Sequence, residues 1–213
     1  MIIHDGTVAA AAGAPLEEAA LAVVMVHGRG DSAGGILQLA GHLDLPHERV
    51  AFVAPQAQGG TWYPRSFLAP FEENEPWLTS ALTAVGAVAT TVAEAGVASE
   101  RTVLLGFSQG ACLVSEYAAR QGGAFGGVIA LSGGLIGPEG TEFRHEASLR
   151  GTTAFFGCSD VDPHIPVGRV HESADAYERQ GARVEKRIYP GMPHTVNQDE
   201  LEFISRLLRD LSA

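Results

Sequence analysis

The sequence predicts an α/β fold, a mainly parallel central sheet covered by helices on both faces. Three observations predict it. Short apolar, β-branched runs alternate with helix-like patterns from about Leu21 to the C-terminus, the signal of repeated β-α units. Two of the runs, Ala22-Val23-Val24-Met25-Val26 and Thr102-Val103-Leu104-Leu105, carry no polar alternation, as strands buried on both faces require. The chain has 213 residues, 46% of them hydrophobic and 18% charged, which is enough to bury a substantial core within one domain spanning 1–213.

Taken in chain order, residues 2–10 are expected to add an antiparallel hairpin at the sheet edge. The central strands then fall near 22–26, 50–54, 102–106, 127–131, 153–156 and 184–189, each a short β-branched or aromatic run bounded by Gly, Pro or polar residues. Helices are expected near 34–43, 77–95, 109–121, 170–180 and 199–211, where apolar residues recur at helical spacing. Residues 58–74 and 132–150 read as long loops, which in such sheets shape a site. No repeat or low-complexity linker interrupts this order.

Charge removes several functions. With 25 acidic against 14 Lys and Arg residues the formal net charge is −11, and no basic run offers phosphates the clustered cations that nucleic-acid binding needs. The apolar segment around 21–26 is far shorter than the roughly 20 residues of a membrane-spanning helix, so no integral membrane segment is expected. The N-terminal stretch lacks the cationic and apolar regions of an export signal. Two cysteines, Cys112 and Cys158, make no disulfide framework and fit reduced, buried thiols in a cytoplasmic protein. A homodimer is compatible with the sequence.

The chemistry concentrates in a few segments. Gly106-Phe107-Ser108-Gln109-Gly110 is a G-x-S-x-G sequence set directly after an apolar strand and directly before a helix. The bare pattern is weak, but that context is a nucleophile elbow, in which any side chain at the flanking glycines would strike the neighbouring strand or helix. A serine there could also merely cap the helix; the strand-turn-helix setting favours the nucleophile. The Gln109 amide at the helix N-terminus would stabilise a developing oxyanion, and its side chain reads as replaceable. A second amide donor is expected from Arg29, in His27-Gly28-Arg29-Gly30-Asp31 after the first central strand. His27 itself reads as structural. His194, in the Pro/Gly-rich segment Tyr189-Pro190-Gly191-Met192-Pro193-His194-Thr195 after the last strand, is the expected base. The acid should lie between Ser and His in chain order, and Phe156-Gly157-Cys158-Ser159-Asp160-Val161-Asp162-Pro163 offers both Asp160 and Asp162. Trp62, Arg65 and His164 are candidate substrate contacts. An Arg29 or Arg65 guanidinium would suit an acidic acyl group.

These motifs, in this order, resemble the carboxylesterase/phospholipase family that includes acyl-protein thioesterases, small single-domain enzymes of the α/β-hydrolase fold. The resemblance rests on His27-Gly28-Arg29-Gly30-Asp31, Gly106-Phe107-Ser108-Gln109-Gly110-Ala111, Leu131-Ser132-Gly133, Asp162-Pro163-His164-Ile165-Pro166 and Gly191-Met192-Pro193-His194-Thr195. It implies a serine hydrolase acting on small-molecule carboxylic esters or thioesters through Ser108, His194 and an acid, with the Arg29 and Gln109 amides as oxyanion hole and with no cofactor and no metal. The family's Asp-Pro-x-x-Pro pattern selects Asp162 as the acid, whereas its Gly-to-Asp spacing of three selects Asp160; we take Asp162. Arg29 departs from the apolar residue usual in the family. Rival expectations are a non-catalytic binding module on the same fold and a hydrolase of lactones or lysophospholipids.

Overall fold

The computed structural model describes residues 3–213. Seven strands form one sheet: β1 (Ala10–Gly13), β2 (Leu21–Val26), β3 (Val50–Ala54), β4 (Thr102–Phe107), β5 (Gly127–Leu131), β6 (Thr153–Ser159) and β7 (Arg183–Tyr189). Their order in space is β1-β3-β2-β4-β5-β6-β7. All neighbours run parallel except β1, which pairs antiparallel with β3.

The edge differs from the sequence expectation. The antiparallel partner of β3 is the Ala-rich stretch Ala10–Gly13, not a hairpin over 2–10; Ile2 lies outside the described residues. Backbone pairing at an edge needs no particular side chain, so periodicity carries little signal there. Residues 3–4 instead lie against the long helix of the domain, their amides donating to Ser80 Oγ.

Strand β2 shows why both faces must be apolar. Ala22, Val24 and Val26 join one buried cluster, and Leu21, Val23 and Met25 join the other, as alternation along a strand dictates. Helices α3 (Trp77–Glu94), α4 (Gln109–Gln121) and α5 (Val167–Arg179) cover the first face. The short α1 (Ala33–Leu37) and the C-terminal α6 (Gln198–Ser212) cover the second. The helix expected over 34–43 stays α-helical only to Leu37 and continues as a 3-10 turn, Gln38–His42; glycines at 34, 35 and 41 weaken it. The loop at 58–74 contains a one-turn helix, α2 (Phe71–Asn74), while 132–150 has no regular element.

The chain leaves β2 for β3 on one side and returns to place β4 on the other. The carboxyl ends of β2 and β4 therefore flank a point where connections diverge, and such a crevice is where open α/β sheets bind ligands. The motif segments after β2 and β4 open into that crevice.

Candidate active site

Ser108 stands between β4 and α4 with φ 55° and ψ −118°, a conformation L-residues avoid. The strain persists because its surroundings overdetermine it. The Ser108 amide donates to Leu131 O at 2.9 Å, continuing the ladder to β5, and Ser108 O accepts from Cys112 N at 3.0 Å, starting α4. A Cβ on Gly106 would sit inside the backbone of Gly110, and one on Gly110 would overlap Val26 O. The two glycines thus allow α4 to approach β4 and β2 at van der Waals distance.

Two distant segments converge on this turn. His194 Nε2 lies 2.9 Å from Ser108 Oγ, and His194 Nδ1 lies 2.7 Å from Asp162 Oδ2. The Asp162 side chain is fully buried, and its other oxygen accepts from the amides of His164 (2.8 Å) and Ile165 (3.0 Å). Burial alone would raise the Asp162 carboxyl, but the hydrogen bond from His194 and the two amides outweigh it and hold the group below the usual carboxylate range. An ionised Asp162 can only accept, so Nδ1 carries the hydrogen and Nε2 presents its lone pair to the Ser108 hydroxyl.

Asp160 is placed elsewhere. Its Oδ1 accepts from Gly191 N at 2.8 Å, tying the β6 loop to the start of the segment that carries His194. That segment is secured at its far end by Asn197, which caps α6 in a reciprocal capping box with Glu200 and donates from Nδ2 to Met192 Sδ at 3.0 Å. Rings of Phe107 and His164 each lie 4.9 Å from the His194 ring, the latter edge-on.

The Arg29 and Gln109 amides have no hydrogen-bond partner among the described residues; Gln109 is the first residue of α4, where no carbonyl lies one turn back. The side chains of both do something sequence reasoning missed. The Gln109 carboxamide accepts from Trp62 N (3.0 Å) and donates to Tyr63 O (2.8 Å), pairing with that strand of loop as a backbone would. The side chain read as replaceable thus clamps that loop. The Arg29 guanidinium donates to the carbonyls of Tyr63, Pro64 and Arg65 at 2.9, 3.2 and 2.7 Å, which pins the 62–65 loop over the turn that bears the Arg29 amide. The available signal was a charged residue beside an expected oxyanion donor with a long loop to hold.

A cavity of about 660 Å3 opens at Ser108, lined on one side by Arg29, Tyr63, Arg65 and Phe67 and on the other by His164, Ile165 and His194. Arg65 and His164 are therefore where a substrate contact was expected. Trp62 is not: it is fully buried behind the loop, its indole donating to His27 O at 2.9 Å, and it packs on the rings of His4 and His27. A large amphipathic ring in a loop can face inward as readily as toward ligand. His27 is structural, as expected. Its Nδ1 meets Gly28 O at 2.7 Å and its Nε2 accepts from Ala57 N at 3.1 Å, and burial lowers its pKa, so it stays neutral.

Comparison with known proteins gives the family. The phospholipase/carboxylesterase family profile matches residues 9–212. The chain belongs to that family. It is 27% identical to acyl-protein thioesterase 1 of Saccharomyces cerevisiae, over 92% of this chain and 95% of the yeast protein. Among solved structures it is similar to a phospholipase/carboxylesterase from Dyadobacter fermentans at 40% identity and a TM-score of 0.91, covering 98% of both chains. It is also similar to esterase PE8 at 25% identity and a TM-score of 0.76, over 95% and 97%. The fold is that of the α/β hydrolases, and the family makes this chain a hydrolase of the esterase and thioesterase type. None of its helices is long and apolar enough to cross a membrane among the described residues.

Proposed function

We propose that this chain, one catalytic unit over 1–213, hydrolyses carboxylic esters or thioesters with Ser108 as nucleophile, His194 as base and Asp162 as its orienting acid. The observation that carries the reading is the unbroken hydrogen-bond relay from Ser108 Oγ through His194 to Asp162, at 2.9 and 2.7 Å. Ser108 Oγ attacks the acyl carbon while its proton passes to His194 Nε2; the charge on the former carbonyl oxygen is met by the Arg29 and Gln109 amides. Collapse breaks the bond to the leaving alcohol or thiol, which takes the proton from His194. Water, deprotonated by the same imidazole, then releases the acid from Ser108. Asp162 holds the ring tautomer and offsets the imidazolium charge.

In this reading Arg65 and His164 contact the acyl portion. The Arg29 guanidinium, already bonded to three carbonyls, acts on the loop and not on substrate. Partners are small-molecule esters or thioesters and not nucleic acid, the setting is cytoplasmic in keeping with two buried free thiols, and a homodimer is compatible.

The test is labelling by a serine-reactive fluorophosphonate, wild type beside Ser108→Ala, followed by a panel of short esters, acyl thioesters, lactones and lysophospholipids. Labelling that disappears in the variant supports an activated Ser108. No labelling of folded wild type would turn the reading to a binding module.

A further inference from the structure

A second cavity, of about 440 Å3, adjoins the first. The two share only Asp31, Phe107 and His194, so the imidazole stands in the wall between them. They differ in what else they hold. The first contains Ser108 and both oxyanion residues. The second contains neither, and its wall includes Ile36, Leu39, Val196 and Leu201. Ile36 is buried in the core while Leu39, Val196 and Leu201 are half-buried, which leaves apolar side chains in contact with solvent directly beside the proposed base.

We infer that this second cavity receives the leaving group, and that the leaving group is an apolar alcohol or thiol. The inference rests on the proposed function and follows from the path of one proton. In acylation the Ser108 proton goes to His194 Nε2 and then to the oxygen or sulfur that departs from the acyl carbon, so the departing atom must lie against His194. The acyl carbonyl oxygen must lie against the Arg29 and Gln109 amides, which places the acyl portion in the first cavity. What extends from the departing atom then passes to the far side of His194. There it meets the aliphatic side chains of Ile36, Leu39, Val196 and Leu201, in a lining that also includes Asp31, His42 and Thr195. An alkyl chain seated there removes both its own surface and that of Leu39, Val196 and Leu201 from water, whereas an anionic leaving group finds no Lys or Arg in the lining.

Leaving-group and acyl contributions separate kinetically, because the alcohol has gone before the acyl-enzyme meets water. Two ester series test the assignment in wild type and in Leu39→Ser and Val196→Ser: acetates of methanol through hexanol, alkanols of nearly equal acidity, and methyl esters from acetate through hexanoate. In wild type, kcat/KM of the acetates is expected to rise about twofold to threefold per methylene while the bound part of the chain lasts. The rate of acetyl-enzyme hydrolysis should not change across that series. Each variant is expected to flatten the alkyl dependence and to leave the acyl dependence as it was. A flat alkyl series in wild type overturns the inference, and so does a variant that flattens the acyl series instead. Because the wild-type series stands alone, a variant that fails to fold does not rescue the proposal. Turnover retained in Ser108→Ala would strike the underlying catalytic reading, whereas Ser108-dependent turnover with no alkyl dependence strikes only this inference.

Discussion

Two neighbouring turns of this protein are built alike and placed differently. Ser108 follows β4 and Ser132 follows β5, adjacent parallel strands whose ends are level, with Phe107 opposite Leu131. They are the two non-glycine residues with positive φ, 55° and 50°, among the described residues. In each the serine amide extends the ladder to the next strand, Ser108 N to Leu131 O at 2.9 Å and Ser132 N to Gly157 O at 2.7 Å. Beyond that the turns part. Ser108 Oγ meets an imidazole, and α4 begins at the following residue. Ser132 is fully buried, its hydroxyl faces the Cys158 thiol without a hydrogen-bond partner, and two glycines follow it. Burial pushes that thiol up to about 12, so it offers no thiolate. Backbone strain at a strand end thus does not separate the two serines; the imidazole that a distant loop brings to Ser108 does.

The largest expected effect breaks the comparison at its functional side. Ser108→Ala should lower kcat/KM by on the order of 10^5-fold while shifting the urea midpoint little, since the hydroxyl supports no packing. Asp162→Asn should cost about 10^4-fold through loss of the ring tautomer that Ser108 needs. Asp160→Asn retains an acceptor for Gly191 N and should stay within about tenfold. Comparable losses at the two positions would show that the relay does not choose between them.

Gly110→Ala tests the packing of the Ser108 turn against β2. The added methyl overlaps Val26 O, and about 3 kcal/mol of stability should be lost in chemical denaturation. The support behind the Ser132 turn is probed by pH. Glu200 is fully buried over Gly157, with one oxygen unpartnered. Its burial raises the carboxyl to about 7, against 4.5 for an ordinary Glu. Between those values Glu200 holds more proton in the folded state than in the unfolded one, so its contribution to stability falls as pH rises from about 4.5 to about 7 and levels above. Glu200→Gln should remove that slope, read from urea midpoints at pH 5 and pH 8. The smallest effect is expected at Ser132→Gly, which relieves left-handed strain and an unpaired hydroxyl but adds chain entropy to the unfolded state. A net gain of about 1 kcal/mol, with activity within a few-fold of wild type, would sharpen the contrast with Ser108.

The order of elements and the elbow were legible from residues alone. Uninterrupted apolar strands, glycines on both sides of Ser108 and an immediate helix are constraints among neighbours a few bonds apart, and short-range sterics act wherever that sequence occurs. His194 was legible from its place after the last strand. The Ala10–Gly13 edge strand was not, because small residues leave no period, and the Gln109 and Arg29 clamps were not, because their partners are loop backbone groups that have no sequence signature.

The sequence by itself therefore determined a mainly parallel α/β sheet, a serine held in a strained turn and a histidine on a loop able to reach it. Tertiary structure decided which of two aspartates, two residues apart, faces that histidine, and whether Trp62 lines the cleft or lies behind it. Ser108 and His194 are 86 positions apart, and His194 and Asp162 are 32 apart. Hydrogen bonding and burial depend on which groups arrive within about 3 Å of one another. That arrival is fixed by the packing of whole strands and loops, not by the residues on either side.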